Sequence, residues 1–207
     1  MVGVARAENT GDGTRAVTGR RPASRFTVDT VLQRNLPPSG AEPDRVALVF
    51  GDQRLTFENL ERRSSSLAQG LLDSGFRHGD VVCVLAHNRA EWFELLFALA
   101  KIGGVIVPVN YLLKPKEVAY IVVDSGACWI VGDDALWPTV EAVLNEVATS
   151  LNLVTLDTDR AGAASYAALV STSPGRPTPA VEADDLLLLQ YTSGTTGFPK
   201  GAMHTHA

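Results

Sequence analysis

Five short runs in this chain are almost continuously apolar: residues 81–86 (Val-Val-Cys-Val-Leu-Ala), 105–109, 128–131, 153–156 and 186–191. None alternates apolar with polar, so each reads as a strand buried on both faces. Amphipathic segments separate them. Leu60, Leu67 and Leu71 share one helical face, as do Trp92, Leu95, Leu96 and Leu99, and then Val118, Ile121 and Val122. Strands and helices taken in turn give an α/β fold, a mostly parallel sheet with helices on both faces. In such sheets ligands bind at the carboxyl ends of strands.

Punctuation supports this division. Residues 46–50 and 54–56 flank Gly51-Asp52-Gln53 as a short hairpin, and Thr56 is placed to cap the helix that follows. Gly75 ends that helix, and Gly103-Gly104 ends the next. Asn88 and Glu91 have the spacing of a capping box. Pro115 suits the first position of a third helix, and residues 136–147 form a fourth. A first helix or turn begins near Thr27, a looser stretch follows residue 156, and residues 171–179 within it are read as loop or linker. No solenoid-type repeat is present.

Charge and composition narrow the function. The net charge is −5, so no broad basic field is offered to nucleic acid or to an anionic membrane. The basic residues Arg6, Arg15, Arg20, Arg21 and Arg25 bunch in residues 1–26, which are expected to form a disordered arm. The most apolar long stretch, residues 95–109, is broken by Lys101 and two glycines and is too short to span a bilayer. There is no apolar block of a secretory leader. Cys83 and Cys128 stand far apart in apolar runs and read as small buried hydrophobes, in keeping with a cytoplasmic protein.

The chemistry lies where the last apolar run ends, in Tyr191-Thr192-Ser193-Gly194-Thr195-Thr196-Gly197-Phe198-Pro199-Lys200-Gly201. Glycines here let the backbone approach a ligand and turn several N–H groups one way. The hydroxyls of Thr192, Ser193, Thr195 and Thr196 offer donors to phosphate oxygens, and Lys200 adds positive charge. The pattern is not the P-loop of kinases and GTPases, because Lys200 lies between Pro199 and Gly201 and does not precede a Ser or Thr that opens a helix.

This segment resembles the signature loop of the adenylate-forming enzymes, which include acyl-CoA synthetases, luciferases and the adenylation domains of peptide synthetases. Residues 55–60 (Leu-Thr-Phe-Glu-Asn-Leu), 98–110 and 117–127, the last ending in Asp-Ser-Gly-Ala, resemble further blocks of that superfamily. The resemblance covers residues 27–207 and implies the N-terminal part of the large, AMP-binding domain.

It also implies a two-step reaction. A carboxylate, expected to be a fatty acid, attacks the α-phosphate of ATP, and coenzyme A then displaces AMP. Thr192, Ser193, Gly194, Thr195, Thr196, Gly197 and Lys200 would hold the β- and γ-phosphates, with Mg²⁺ sharing the charge. His206 would lie near the acyl end of the site. His204, two residues earlier, would face the same side of a strand. The chain stops one residue beyond His206, so a fragment unable to form an acyl-adenylate alone is expected, its last strand partly exposed on an apolar face. An amino-acid adenylation domain and a non-catalytic remnant that contacts a partner are the alternatives.

Overall fold

The computed structural model describes residues 27–37, 45–171, 181–192 and 199–207. The Arg-rich arm and Ser193, Gly194, Thr195, Thr196 and Gly197 of the glycine-rich segment lie outside the described residues.

After α1 (Thr30–Asn35), an antiparallel hairpin of β1 (Val46–Phe50) and β2 (Gln53–Thr56) leads into α2 (Phe57–Asp73). The Thr56 hydroxyl accepts the Asn59 N–H at 3.1 Å, satisfying an orphan donor of the first turn as the sequence suggests. The central units then follow: β3 (Val81–Leu85), α3 (Glu91–Ile102), β4 (Val105–Pro108), α4 (Pro115–Asp124), β5 (Trp129–Gly132), α5 (Trp137–Glu146) and β6 (Asn152–Thr155). A two-residue β7 (Ala164–Ser165) and α6 (Tyr166–Ser171) precede β8 (Leu186–Thr192) and β9 (Lys200–Thr205).

Seven strands form one sheet in the order β7-β6-β5-β3-β4-β8-β9. All neighbours are parallel except β8 and β9, which are antiparallel. β3 sits in the middle, and its alternate side chains feed two cores. Val82 and Val84 join Leu67, Leu71, Leu95, Leu99 and Ile102 from α2 and α3 on one face. Cys83 and Leu85 join Val118, Ile121, Val122, Val140 and Val143 from α4 and α5 on the other. Burial on both faces is why these strands carry no polar alternation. Cys83 behaves as a buried hydrophobe, and burial pushes its thiol up to about 12.

One charged group is placed deep in the first core. Glu94 accepts the Arg63 Nε–H at 2.6 Å and the Tyr166 hydroxyl at 2.5 Å, tying α3 to α2 and α6. Burial is tolerated because both carboxylate oxygens are paired.

Two expectations are corrected. Asn88 and Glu91 form no capping box: α3 begins after Ala90, which makes no side-chain cap bond. The Arg89 guanidinium takes both Glu91 oxygens, at 2.9 and 3.0 Å, so the carboxylate is engaged by a neighbouring side chain. The looser stretch after residue 156 holds β7 and α6, short elements whose Tyr166 and Leu169 are buried in the first core, whereas the loop or linker expected at 171–179 lies, past Ser171, outside the described residues. The helix stop at Gly103 holds: its φ of +70° is left-handed, and a Cβ there would meet the His78 ring at 2.1 Å.

β8 is covered unevenly. Leu187 and Leu189 are buried, whereas Leu188 lines an open apolar cavity of about 200 Å³ with Trp92, Phe93, Leu96, Ile106 and Pro108. Among the described residues no helix is long and apolar enough to cross a membrane.

Leu99, fully buried between α3 and the sheet, tests the first core. Leu99→Ala is expected to lower unfolding free energy by about 2–5 kcal/mol with an unchanged urea m-value. A loss below about 0.5 kcal/mol, the size of an ordinary surface change, would contradict this packing.

Candidate phosphate-binding site

The two ends of the glycine-rich segment are brought face to face. In the β8–β9 ladder Thr192 pairs with Lys200, Tyr191 with Gly201 and Gln190 with Ala202. β8 lies parallel to β4, with Leu188 opposite Ile106, so Thr192 sits at its carboxyl end, where open α/β sheets bind ligands. Both Thr192 and Lys200 are exposed. A hydroxyl and an ammonium are thus presented side by side from a supported strand end, an arrangement suited to a phosphate group.

The backbone that carries this pair is braced from the opposite face by α4. The Tyr191 hydroxyl donates to Asp124 Oδ2 at 2.7 Å. Burial, then the hydrogen bond and charge of Asp124, pushes the Tyr191 phenol above its ordinary value, so it remains a donor. The Tyr120 hydroxyl reaches the Pro199 carbonyl oxygen at 3.4 Å. Gly201 packs under the Tyr191 ring, where a Cβ would stand 3.1 Å from Cζ. Sequence reading missed Tyr120 and Asp124. Both lie in the 117–127 block that carries the resemblance, but neither was given a role, and their i, i+4 spacing is common and unspecific.

His206 is elsewhere. It follows the base of the hairpin, next to the Leu186–Thr205 pair, about 20 Å of strand from Lys200 at the usual rise per residue. Its backbone N–H donates to the Asp185 carbonyl at 3.2 Å, and its Nδ1 accepts the Val28 N–H at 3.2 Å. The proton therefore resides on Nε2, which is buried and has no hydrogen-bond partner among the described residues. His204 is exposed while His206 is 3% exposed, so the two rings do not share one environment. No group of three or more His, Cys, Asp or Glu side chains able to hold a metal ion exists among the described residues.

A mostly parallel sheet covered on both faces, with exposed polar residues at the carboxyl end of a strand, is the architecture in which open α/β proteins bind their ligands. The sequence matches the AMP-binding enzyme family over residues 39–207, and the chain belongs to that family. It is 34% identical over 175 residues to a 4-hydroxybutyrate–CoA ligase of Metallosphaera sedula, a match covering 79% of this chain and 32% of the relative. It is 33% identical over 177 residues to a Mycobacterium marinum ligase named for medium- and long-chain fatty acids and 3-oxocholest-4-en-26-oate, covering 80% of this chain and 32% of the relative. Among solved structures, an anthranilate CoA ligase in complex with anthranoyl-AMP superposes with a TM-score of 0.79 at 29% identity, over 87% of this chain and 35% of that one. The chain thus spans about a third of the length of the curated relatives it matches.

Burial pushes the His206 imidazole below its ordinary 6.5, and His78 adds to this, against the opposing pull of Asp29 and Asp185. Below 6.5 the unfolded chain takes up a proton that the folded ring resists, so this contribution to stability is present above that pH and lost as pH falls through the lower folded value. Between pH 7 and 5 the wild-type melting temperature is therefore expected to fall more steeply than that of His206→Gln. Parallel declines in the two proteins would refute the assignment.

Proposed function

We propose that this chain is the front part of an AMP-forming acid–thiol ligase and supplies its pyrophosphate-binding element. The reading rests on one observation: Thr192 and Lys200 stand opposite each other at the end of a supported strand, in a chain of the AMP-binding enzyme family.

In this reading the carboxylate of the acid attacks the α-phosphorus of ATP, the bond to the β-phosphate oxygen breaks, and pyrophosphate leaves. Lys200 would neutralise charge accumulating on the β- and γ-phosphates. Thr192, with Ser193, Gly194, Thr195, Thr196 and Gly197, would donate hydrogen bonds to them. Such stabilisation is electrostatic and needs donors already in place, which a strand-anchored hairpin provides. The coenzyme A thiol then attacks the acyl carbon and releases AMP. For Mg²⁺ the described residues offer no cluster of three or more His, Cys, Asp or Glu side chains.

The acid is proposed to be a fatty acid, supported by the name of the mycobacterial relative. His206 enters as the expected acyl-side contact, supported by its buried Nε2, which has no partner among the described residues, and its place at the hairpin base gives it no part in holding phosphate. A cytoplasmic location belongs to the same reading, supported by two free cysteines.

Calorimetric titration with magnesium pyrophosphate tests the reading. Lys200→Ala is expected to weaken binding about tenfold or more, as loss of a charge-assisted contact does. Unchanged affinity would remove Lys200 from the role. Acid-dependent ATP–pyrophosphate exchange by this 207-residue chain is expected to stay at the level of the Lys200→Ala control. Exchange clearly above it would overturn the view that the rest of the ligase is required.

A further inference from the structure

Asp124 is the last residue of α4 and belongs to no phosphate-binding motif, yet contacts from both sides of Lys200 converge on it. Its Oδ2 holds the Tyr191 hydroxyl at 2.7 Å, and its Oδ1 lies 3.5 Å from the Tyr120 hydroxyl, one helical turn earlier. Tyr120 also reaches the carbonyl oxygen of Pro199, the residue before Lys200, at 3.4 Å. Tyr191 covers Gly201, the residue after Lys200, so closely that an added Cβ would stand 3.1 Å from the ring. Lys200 is therefore flanked on each side by a residue touched by a tyrosine, and one carboxylate addresses both tyrosines.

The three contacts differ in strength. The Tyr191–Asp124 bond is short and charge-assisted, whereas the two Tyr120 distances are long and share a single phenolic proton. Tyr191 thus carries most of the restraint, and Tyr120 steers the carbonyl that precedes the lysine. β9 needs such restraint, because all six of its residues are exposed and side-chain packing contributes little to holding it. A lysine is a compact charge on a flexible stem, so the placement of its backbone decides where its ammonium can reach.

We propose that Asp124, acting through Tyr191 and Tyr120, is a positioning residue that sets the backbone of Lys200 for phosphate binding. The inference rests on the reading of Lys200 as a phosphate ligand. It assigns the Asp124 carboxylate no contact with the ligand itself. Its effect on affinity must therefore disappear when the lysine side chain is absent.

A double-mutant cycle on the 207-residue chain, with magnesium pyrophosphate as the probe, tests this. Asp124→Asn and Tyr191→Phe are each expected to weaken binding about three- to tenfold, and to have almost no effect in the Lys200→Ala background. Equal losses in both backgrounds, or no loss in the single variants, would overturn the proposal. Tyr191→Phe removes only one hydroxyl, and it carries the test if Asp124→Asn fails to fold. If the wild-type chain binds no pyrophosphate, the phosphate-binding reading fails by itself, and backbone amide exchange at Lys200 and Gly201 decides the positioning. Asp124→Asn and Tyr191→Phe should accelerate that exchange about tenfold, as loss of a charge-assisted hydrogen bond implies. Unchanged exchange would overturn it.

Discussion

Parallel pairing of β3 with both β4 and β5 is the constraint from which the rest of the molecule follows. Parallel neighbours cannot be joined by a tight turn, so a crossover must pass over one face of the sheet. Because β4 and β5 lie on opposite sides of β3, the covering helices divide between the two faces. α2 and α3 take one and α4 and α5 the other, and the residues of β3 serve two separate cores. This division leaves α4 where its last turn meets the end of β8, which brings Asp124 to Tyr191.

The antiparallel β9 turns that strand end into a site. A parallel sheet presents strand ends one at a time, whereas a hairpin presents two residues opposite each other. Thr192 and Lys200 are therefore fixed relative to one another by backbone ladder bonds before any side-chain contact is made. The charges of the interior are handled separately. Glu94 is paired with Arg63 and Tyr166 on the α2–α3 face and takes no part in the hairpin.

Much of this was legible in the sequence because the signals were local. Continuous apolar runs gave β3 through β6 and β8, and Thr56, Gly103 and Pro115 marked helix ends through backbone chemistry that depends on single residues. Where a contact between side chains decided the outcome, the reading failed. Glu91 had the spacing of a cap, yet Arg89 claimed its carboxylate in competition with the backbone. α6 was too short to show a period, and its place is set by Tyr166 reaching Glu94, a residue far away in the chain. The segment that ends in Lys200 could be read from its residue types alone. The tyrosine and carboxylate beneath it could not, since their meaning arises only when α4 and β8 meet.

The order of strands in the sheet also orders its assembly in time. β3 and β4 close across a single helix, whereas β8 joins through partners at positions 106 and 188, the longest closure in the sheet's parallel part. Loop-closure entropy opposes such contacts until the shorter ones have formed a surface to receive them. The hairpin that carries Thr192 and Lys200 thus docks late on an already built β3–β4–β5 core. Errors in the sequence between β6 and β8 would then slow the maturation of the site while leaving the core itself folded.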